Sequence, residues 1–373
     1  MIELQQVAAD LTELLQIDSP TYGEKVAAEW LAARLAEFGV RAEDDGKAAA
    51  LGGDSGNLIA RIRGNVDAPP LLLNAHMDNV PPCRGVKPIV DGYLIRSDGR
   101  TVLGADDKGG CIALLTALRE VVTGDLPHPP LEVVFTAAEE VGLEGAKALD
   151  YSRLQARRGF VAESGTLGAI TIAAPSADRW EAIVHGKAAH AGVCPEQGIN
   201  AIRIAAEAIA AMRVGRLDDE TTANVGLIEG GQARNVVPPG CTVVGEARSH
   251  DSHKLAAQVR QVKGCFAAAA ARHGGSAGFR AKRGYNAFRI EPDEWPLLVA
   301  ERAARDLGIE PLSRPTGGGT DANIFNESGL RCVVLCTGAH QVHTPEEYID
   351  VRDLTQAAKW FVRAIELAAA GGA

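Results

Sequence analysis

The chain has 373 residues, of which 46% are hydrophobic and 23% are charged, as in a globular protein of about two domains. The net charge of −10 and the lack of a basic block argue against nucleic acid as a partner. The lack of any run of about 18 apolar residues argues against a membrane-spanning helix, and the acidic N-terminal segment lacks the basic region of a signal peptide. Seven cysteines without a CxxC pair predict reduced thiols and a cytoplasmic protein.

The first half of the chain alternates between helix-like and strand-like segments. The predicted segments are helices at 2–16 and 24–38, a glycine-started loop that runs into a helix within 106–122, and strands at 57–64, 71–77 and 131–138. Gly39 directly follows the second helix, at a position where glycine commonly ends helices. This alternation predicts an α/β domain whose sheet is buried on both faces.

The pattern changes near residue 178, where strands and helices follow in the order β-α-β-β-α-β. The predicted segments are strands at 179–187, 221–231, 241–250 and 278–290 and helices at 198–213 and 252–272. This order is typical of the ferredoxin-like unit. A predicted helix at 294–307 and a predicted strand at 331–338 then resume the helix and strand alternation of the first half of the chain. We therefore expect one domain of residues 1–177 and 291–373, with a second domain of 178–290 inserted into it.

Five potential metal ligands lie in short phrases along the first domain. They are His76 in NAHMDNV, Asp106 in LGADDKGG, Glu140 in TAAEEVG, Glu163 in GFVAESG and His343 in QVHTPEE. One Asp, two Glu and two His form a mixed nitrogen and oxygen donor set that suits two zinc ions sharing a bridging carboxylate. Cobalt and manganese accept the same ligands. His340 competes with His343 for the last position.

Asp78 follows His76 at a distance of two residues. Residues with this spacing point the same way in an extended chain, so the Asp78 carboxylate can orient the imidazole of His76 from behind. The alternative is an ordinary polar pair where a strand ends.

In each of two pairs of adjacent acids, the two residues can have different roles. Asp106 and Asp107 precede an apolar helix, so one can bridge two cations while the other caps the helix. Glu139 and Glu140 end an apolar strand, so one can bind metal while the other acts as the general base. An exposed acidic turn is the alternative for the second pair.

Eight phrases in a fixed order carry a resemblance to a known family. They are NAHMDNV, LGADDKGG, TAAEEVG, HAGVCPEQGINAI, GGQARNVVP, GEARSH, GGGTDANIF and VHTPEE. Together they resemble the di-zinc peptidase family that includes peptidase T, carboxypeptidase G and aminoacylase, and peptidase T-like members look most similar. The resemblance implies a di-zinc exopeptidase-type catalytic domain with an inserted ferredoxin-like (βαββαβ) dimerisation domain.

The resemblance also implies roles for individual residues. In the family's pattern, Asp106 bridges two zinc ions, His76 and Glu163 complete one site, Glu140 and His343 complete the other, Asp78 orients His76, and Glu139 is the general base. The inserted domain would form a homodimer in which His190 reaches the partner's active site. Segments matching the family's substrate-facing positions contain Asn224 or Asn235, Arg248, Gly317, Gly318 and Gly319. For Arg248 the alternative is a surface ion pair, and the glycine run lacks the following Lys-Ser/Thr of a phosphate loop.

One departure from the family bears on the substrate. Peptidase T-like aminopeptidases usually have Asp where this chain has Glu163, and Glu is more typical of carboxypeptidases and deacylases. Either carboxylate binds zinc, so the departure concerns specificity. We expect a cytoplasmic di-zinc peptidase, a tripeptidase or aminopeptidase, that cleaves small peptides. Carboxypeptidase or N-acyl amino acid deacylase activity and a non-catalytic dimeric relative are the alternatives.

Overall fold

The computed structural model describes residues 2–371, which form two compact units. The first contains the described residues up to Ala173, Arg289–Thr316 and those from Thr320 onward, and the second contains Ala174–Phe288 and Gly317–Gly319. All seven cysteines lie among the described residues as free thiols. Within residues 2–371, no helix is long and apolar enough to span a bilayer.

The helices and strands follow the predicted order with ends displaced by a few residues. The helices are α1 Leu4–Leu15, α2 Lys25–Ala36, α3 Ala48–Leu51, α4 Ala105–Thr123, α5 Glu144–Ala148, α6 Ala201–Ala211, α7 Ser252–Arg272, α8 Trp295–Asp306, α9 Ala322–Glu327 and α10 Val351–Ala369. The strands are β1 Ala42–Asp44, β2 Leu58–Ile62, β3 Leu71–His76, β4 Ile89–Asp91, β5 Leu94–Arg96, β6 Leu131–Thr136, β7 Arg158–Glu163, β8 Ala169–Ala174, β9 Ser176–His185, β10 Gly215–Arg216, β11 Thr221–Gly230, β12 Gly240–Ser249, β13 Ser276–Tyr285, β14 Phe288–Arg289, β15 Leu312–Pro315, β16 Arg331–Cys336, β17 Ala339–His340 and β18 Tyr348–Asp350.

The first unit is built on a twisted sheet in which β6, β3, β7 and β16 are neighbours and run parallel. Every residue of β3 and β6 is buried, as the continuous apolar sequences of these strands require. Helix α4 packs on β3 and β7 and also contacts α1 and α10. Because these four strands are parallel, their carboxyl ends meet at one edge of the sheet. The predicted α/β class is confirmed.

A small sheet in the first unit was not predicted from the sequence. It has the order β17-β18-β5-β4, and none of its strands exceeds three residues. Strands this short show too little hydrophobic periodicity to be predicted from the sequence. The sheet brings the segment around residue 343 beside the segment that leads into α4.

The second unit has the ferredoxin-like topology that the sequence predicts. Its antiparallel sheet has the order β10-β11-β12-β9-β13, and α6 and α7 pack on β9 and β12. Trp180 lies at the centre of its core, with ring centroids 6.1 Å from Phe266 and 6.1 Å from Phe279. The last predicted strand, 278–290, is interrupted, because β13 ends at Tyr285 and β14 begins at Phe288.

Gly245 leaves room for the indole ring of Trp180, its cross-strand neighbour in β9. A Cβ atom at residue 245 would lie 2.2 Å from the Trp180 ring and 2.3 Å from the Asn224 carbonyl oxygen. We therefore expect Gly245→Ala to destabilise the second unit by about 1–3 kcal/mol through overpacking. Urea unfolding followed by tryptophan fluorescence measures this change.

Gly240→Ala is the matched control in the same strand, since nothing lies within 4 Å of a Cβ atom there. Its unfolding midpoint should equal that of the wild type. An unchanged midpoint for Gly245→Ala would contradict the packing described for Trp180.

Candidate metal centre

The carboxyl-end edge of the parallel strands carries most of the predicted ligands. His76 and Glu163 are the last residues of β3 and β7. Glu140 follows β6, and His343 lies in the loop between β17 and β18, beyond the end of β16. The carboxyl edge of an open α/β sheet is where such proteins usually bind ligands.

Asp106 lies at the centre of the group. Its Oδ1 atom is 3.4 Å from Nε2 of His76, and its Oδ2 atom is 3.3 Å from Nε2 of His343. The residue stands at the start of α4 with φ −86° and ψ 103°, outside the helical region. Its two carboxylate oxygens therefore face two different histidines, as a bridging ligand requires.

The remaining two carboxylates each lie near a different histidine. Glu163 Oε1 is 3.7 Å from Nε2 of His76, and Glu140 Oε1 is 3.1 Å from Nε2 of His343. The donor atoms of His76, Asp106 and Glu140 all lie within 4.8 Å of one another. The structure thus brings all five predicted ligands together around Asp106.

Asp107 lies close enough to Asp106 and Glu163 to be considered as a ligand. Its carboxylate, however, accepts hydrogen bonds from the backbone amides of His76 at 3.3 Å and Gly110 at 3.1 Å. This engagement with backbone amides near the start of α4 is that of a helix-terminal acid. The geometry therefore favours Asp106 over Asp107 as the bridging residue.

His340 and His343, the two candidates for the last ligand position, have different surroundings. The His340 ring packs against the Tyr348 ring on the small sheet, with centroids 5.2 Å apart and ring planes tilted by 33°. His343, with φ +64°, turns its Nε2 atom toward Asp106 and Glu140. Of the two competing candidates, His343 is the one that the fold brings to the site.

The pKa values of the group are shifted because several largely buried acids and two histidines lie close together. Burial raises the pKa of Glu163 to about 7, with repulsion from Asp106 adding to the effect, and burial also raises the pKa of Glu139 well above its ordinary value. Hydrogen bonds to Asp106 and Glu140 raise the pKa of His343 to about 10. The buried Oδ1 atom of Asp106 receives no hydrogen bond from any residue in 2–371. This donor set fits divalent metal ions that prefer imidazole and carboxylate.

Asp78 holds the turn that carries Glu139 and Glu140. Its carboxylate accepts hydrogen bonds from the Glu139 amide at 2.9 Å, the Glu140 amide at 3.2 Å and the Thr21 hydroxyl at 2.8 Å. Nδ1 of His76 lies 3.2 Å from the Asp78 carbonyl oxygen and 3.5 Å from its carboxylate. Asp78 therefore contacts both His76 and the acid pair, although its backbone is the nearer partner of the imidazole.

Two buried acids near this turn were not singled out in the sequence. Glu24 accepts a hydrogen bond at 3.0 Å from the amide of Ala138, which has φ +52° and directly precedes Glu139. Asp321 accepts hydrogen bonds from the hydroxyl of Thr136 and, at 3.5 Å, from the side-chain Nδ2 atom of Asn74. An acid in the TYGEK turn and another in the GGGTD run are the signals that could have marked them.

The residues predicted to face the substrate lie mostly in the second unit. The amide of Ala191, next to His190, donates to the Asn235 carbonyl at 2.9 Å, so these two segments are adjacent. Arg248 forms an ion pair with Glu246 on the same strand face, with Nε 2.8 Å from Oε1. Asn224 is exposed beside Glu246 in the register of β11 and β12. A Cβ atom on Gly319 would lie 2.4 Å from the Tyr285 ring, whereas Gly317 has open space, and Gly318 lies between them.

The chain is similar to known peptidases in both sequence and structure. The model of the peptidase family M20/M25/M40 matches residues 72–367. The crystal structure of the aminopeptidase PepT from Bacillus cereus is similar, with 39% identity, a TM-score of 0.87 and 99% of each chain covered. A tripeptidase structure from Staphylococcus aureus has 35% identity and a TM-score of 0.93, covering 99% of this chain and 100% of that one. Peptidase T of Escherichia fergusonii is 28% identical over 85% of this chain and 86% of its own length.

Proposed function

Since the chain belongs to the peptidase family M20/M25/M40, as a peptidase T-like member, we propose that it is a two-metal aminopeptidase acting on tripeptides. The observation that carries the proposal is the position of Asp106, with one carboxylate oxygen toward His76 and the other toward His343. The names of the similar structures, an aminopeptidase and a tripeptidase, support the substrate class.

The proposed ligands divide into two sets. His76, Asp106 and Glu163 would hold one ion, and Asp106, Glu140 and His343 would hold the other. Zinc is the proposed metal, and cobalt or manganese would accept the same donors. Bound there, the two ions would supply Lewis acidity that polarises the scissile carbonyl and acidifies the attacking water.

Glu139 is the proposed general base. Glu140 Oε1 lies 3.1 Å from Nε2 of His343, whereas no residue within 2–371 donates a hydrogen bond to the carboxylate of Glu139. The Glu139 carboxylate is therefore available to take a proton from the attacking water and pass it to the leaving amine. The Asp78 carboxylate accepts hydrogen bonds from the backbone amides of both glutamates. It would therefore hold the turn in the conformation that gives Glu139 and Glu140 different surroundings.

We further propose that the second unit forms a homodimer and that His190 serves the partner's active site. From Val225 to Gly230 one edge of β11 has no partner strand among residues 2–371, because β10 covers only Thr222 and Ala223. Leu227 on this edge is 64% exposed. An open strand edge with exposed apolar side chains suits pairing with its own copy across a two-fold axis.

The seven free cysteines support a cytoplasmic location, since reducing compartments keep thiols unpaired. Five of the seven are buried, and none forms a disulfide within residues 2–371. We propose that the protein acts on peptides in the cytoplasm.

Glu163 favours a second candidate function. Its longer side chain relative to aspartate would alter the space beside one metal ion, in the direction typical of carboxypeptidases and deacylases. Such enzymes need a cation for the free carboxylate of the substrate. Arg248, which matches a substrate-facing position of the family, is a candidate for this cation, but its ion pair with Glu246 makes it a weaker anchor.

A substitution pair tests the metal centre. Glu139→Gln should keep two metal equivalents by elemental analysis and lower kcat by about 10²–10⁴-fold, because it removes the proton acceptor and leaves the ligands in place. Glu140→Gln should lose metal, because it removes a ligand.

The control is Glu144→Gln, whose side chain forms only a surface pair with Lys147 at 2.9 Å. It should match the wild type in both measurements. Near-full activity in Glu139→Gln would show that the two roles are reversed or wrongly assigned.

A peptide panel tests the substrate class. The zinc- or cobalt-loaded protein should cleave a free tripeptide and lose this activity on the N-acetylated form, because an aminopeptidase recognises the free amine. Product release is measured by chromatography. Loss on the C-amidated form alone would support the carboxypeptidase or deacylase, and cleavage of none of the peptides would support a non-catalytic relative.

The dimer is tested by hybrid complementation. Mixing His190→Ala chains with Glu139→Gln chains should restore part of the activity, because some hybrid sites would combine intact residues from both subunits. Leu227→Asp should shift the protein toward monomer in light scattering.

Leu312→Asp is the control for the second variant, since Leu312 is an exposed strand leucine of the first unit, 55% accessible. It should leave the oligomeric state unchanged. A fully active monomer at assay concentration would contradict the dimer proposal.

A further inference from the structure

Glu347 is a buried acid outside the proposed ligand set. Its side chain is 1% exposed. Oε2 accepts a hydrogen bond from the Gly104 amide at 2.8 Å, and Oε1 accepts one from the Asp106 amide at 3.0 Å. Burying a carboxylate is costly unless hydrogen bonds compensate, and here both oxygens bind the loop that leads into α4.

The backbone of Glu347 belongs to a different loop, the one that carries His343. Its amide donates to the Thr344 carbonyl at 3.2 Å, and its carbonyl accepts from the Ser97 amide at 3.1 Å, extending the pairing of β18 with β5. His343 directly precedes Thr344. One residue therefore joins the segments of two proposed ligands of the same ion, Asp106 and His343.

Asn79 holds the other side of Asp106. Its Nδ2 atom donates to the Asp106 carbonyl at 2.6 Å, and its Oδ1 atom accepts from the Ser19 hydroxyl at 3.2 Å. Asp106 lies in the first turn of α4, where amides lack partners within the helix. Both backbone polar groups of Asp106 are thus bound by buried side chains that are not candidate ligands.

We propose that Glu347 and Asn79 are positioning residues that hold the Asp106 carboxylate in place between the two metal ions, with Glu347 also setting its position relative to His343. The inference rests on the proposed role of Asp106 and His343 as ligands. Metal sites require their ligands within about 0.5 Å of the productive geometry, so loss of either hydrogen-bonding partner should weaken binding.

The experiment titrates the metal-free protein with Co²⁺ and records the visible absorption of the bound ion. Glu347→Gln replaces one acceptor oxygen with an NH₂ group that faces a backbone N–H. We expect its Co²⁺ affinity to fall about 10–100-fold with a changed absorption spectrum, as for other residues that support metal ligands. Asn79→Ala removes the donor on the opposite side of Asp106 and should weaken Co²⁺ binding in the same way.

Glu346→Gln is the matched control, because Glu346 is exposed and adjacent to Glu347. It should bind Co²⁺ as the wild type does. Circular dichroism of the metal-free variants establishes which of them fold, and a folded Asn79→Ala keeps the test decisive if Glu347→Gln does not fold.

The outcomes distinguish the positioning role of Glu347 and Asn79 from the proposed metal centre. Wild-type binding of Co²⁺ together with unchanged affinity and spectrum in a folded Glu347→Gln or Asn79→Ala would overturn the positioning role and leave the proposed function standing. A wild-type protein that binds no Co²⁺ would overturn the proposed metal centre and this inference with it.

Discussion

The constraint on which the rest of the structure depends is the repulsion among acids buried around Asp106. Glu139, Glu140, Glu163 and Asp107 all lie in this part of the first unit, and burial raises the pKa of each. Two imidazoles offset part of the negative charge. Such a group is stable only when cations or backbone donors face the carboxylate oxygens. Backbone amides supply donors to Asp107, and the chemistry of the whole set is that of a divalent metal site.

Two further buried acids bind backbone amides of the turn that carries Glu139 and Glu140. Asp78 binds two consecutive amides in the Glu139–Glu140 turn, and Glu24 binds the amide before them. Ala138 and His343 both have positive φ, a region that non-glycine residues seldom occupy. The hydrogen bond from the Ala138 amide to Glu24 stabilises the first of these conformations, and the second belongs to the residue whose Nε2 atom lies 3.3 Å from Asp106.

The sheet explains why ligands so distant in sequence meet. Strands β6, β3, β7 and β16 are parallel neighbours, so the residues that follow them share one edge. This part of the site was predictable, because each strand shows as an apolar run and each acid or histidine comes at or after its end. The small sheet of β4, β5, β17 and β18 was not predictable, and it is this sheet that fixes the loop of His343 against the loop of Asp106.

The sequence by itself determined the α/β class, the ferredoxin-like insert and the types of donor atoms at the site, because helical and strand periodicity and short ligand phrases are local. Tertiary structure placed Asp106, rather than Asp107, between His76 and His343, and it brought His343, rather than His340, beside Asp106. It separated Glu140, which contacts His343, from Glu139, which does not. It also brought in Glu24 and Glu347, whose partners Ala138 and Gly104 lie 114 and 243 residues away in the chain. Adjacent residues of the same type are equivalent in a local pattern, and only contacts between distant segments make one a candidate ligand and the other its support.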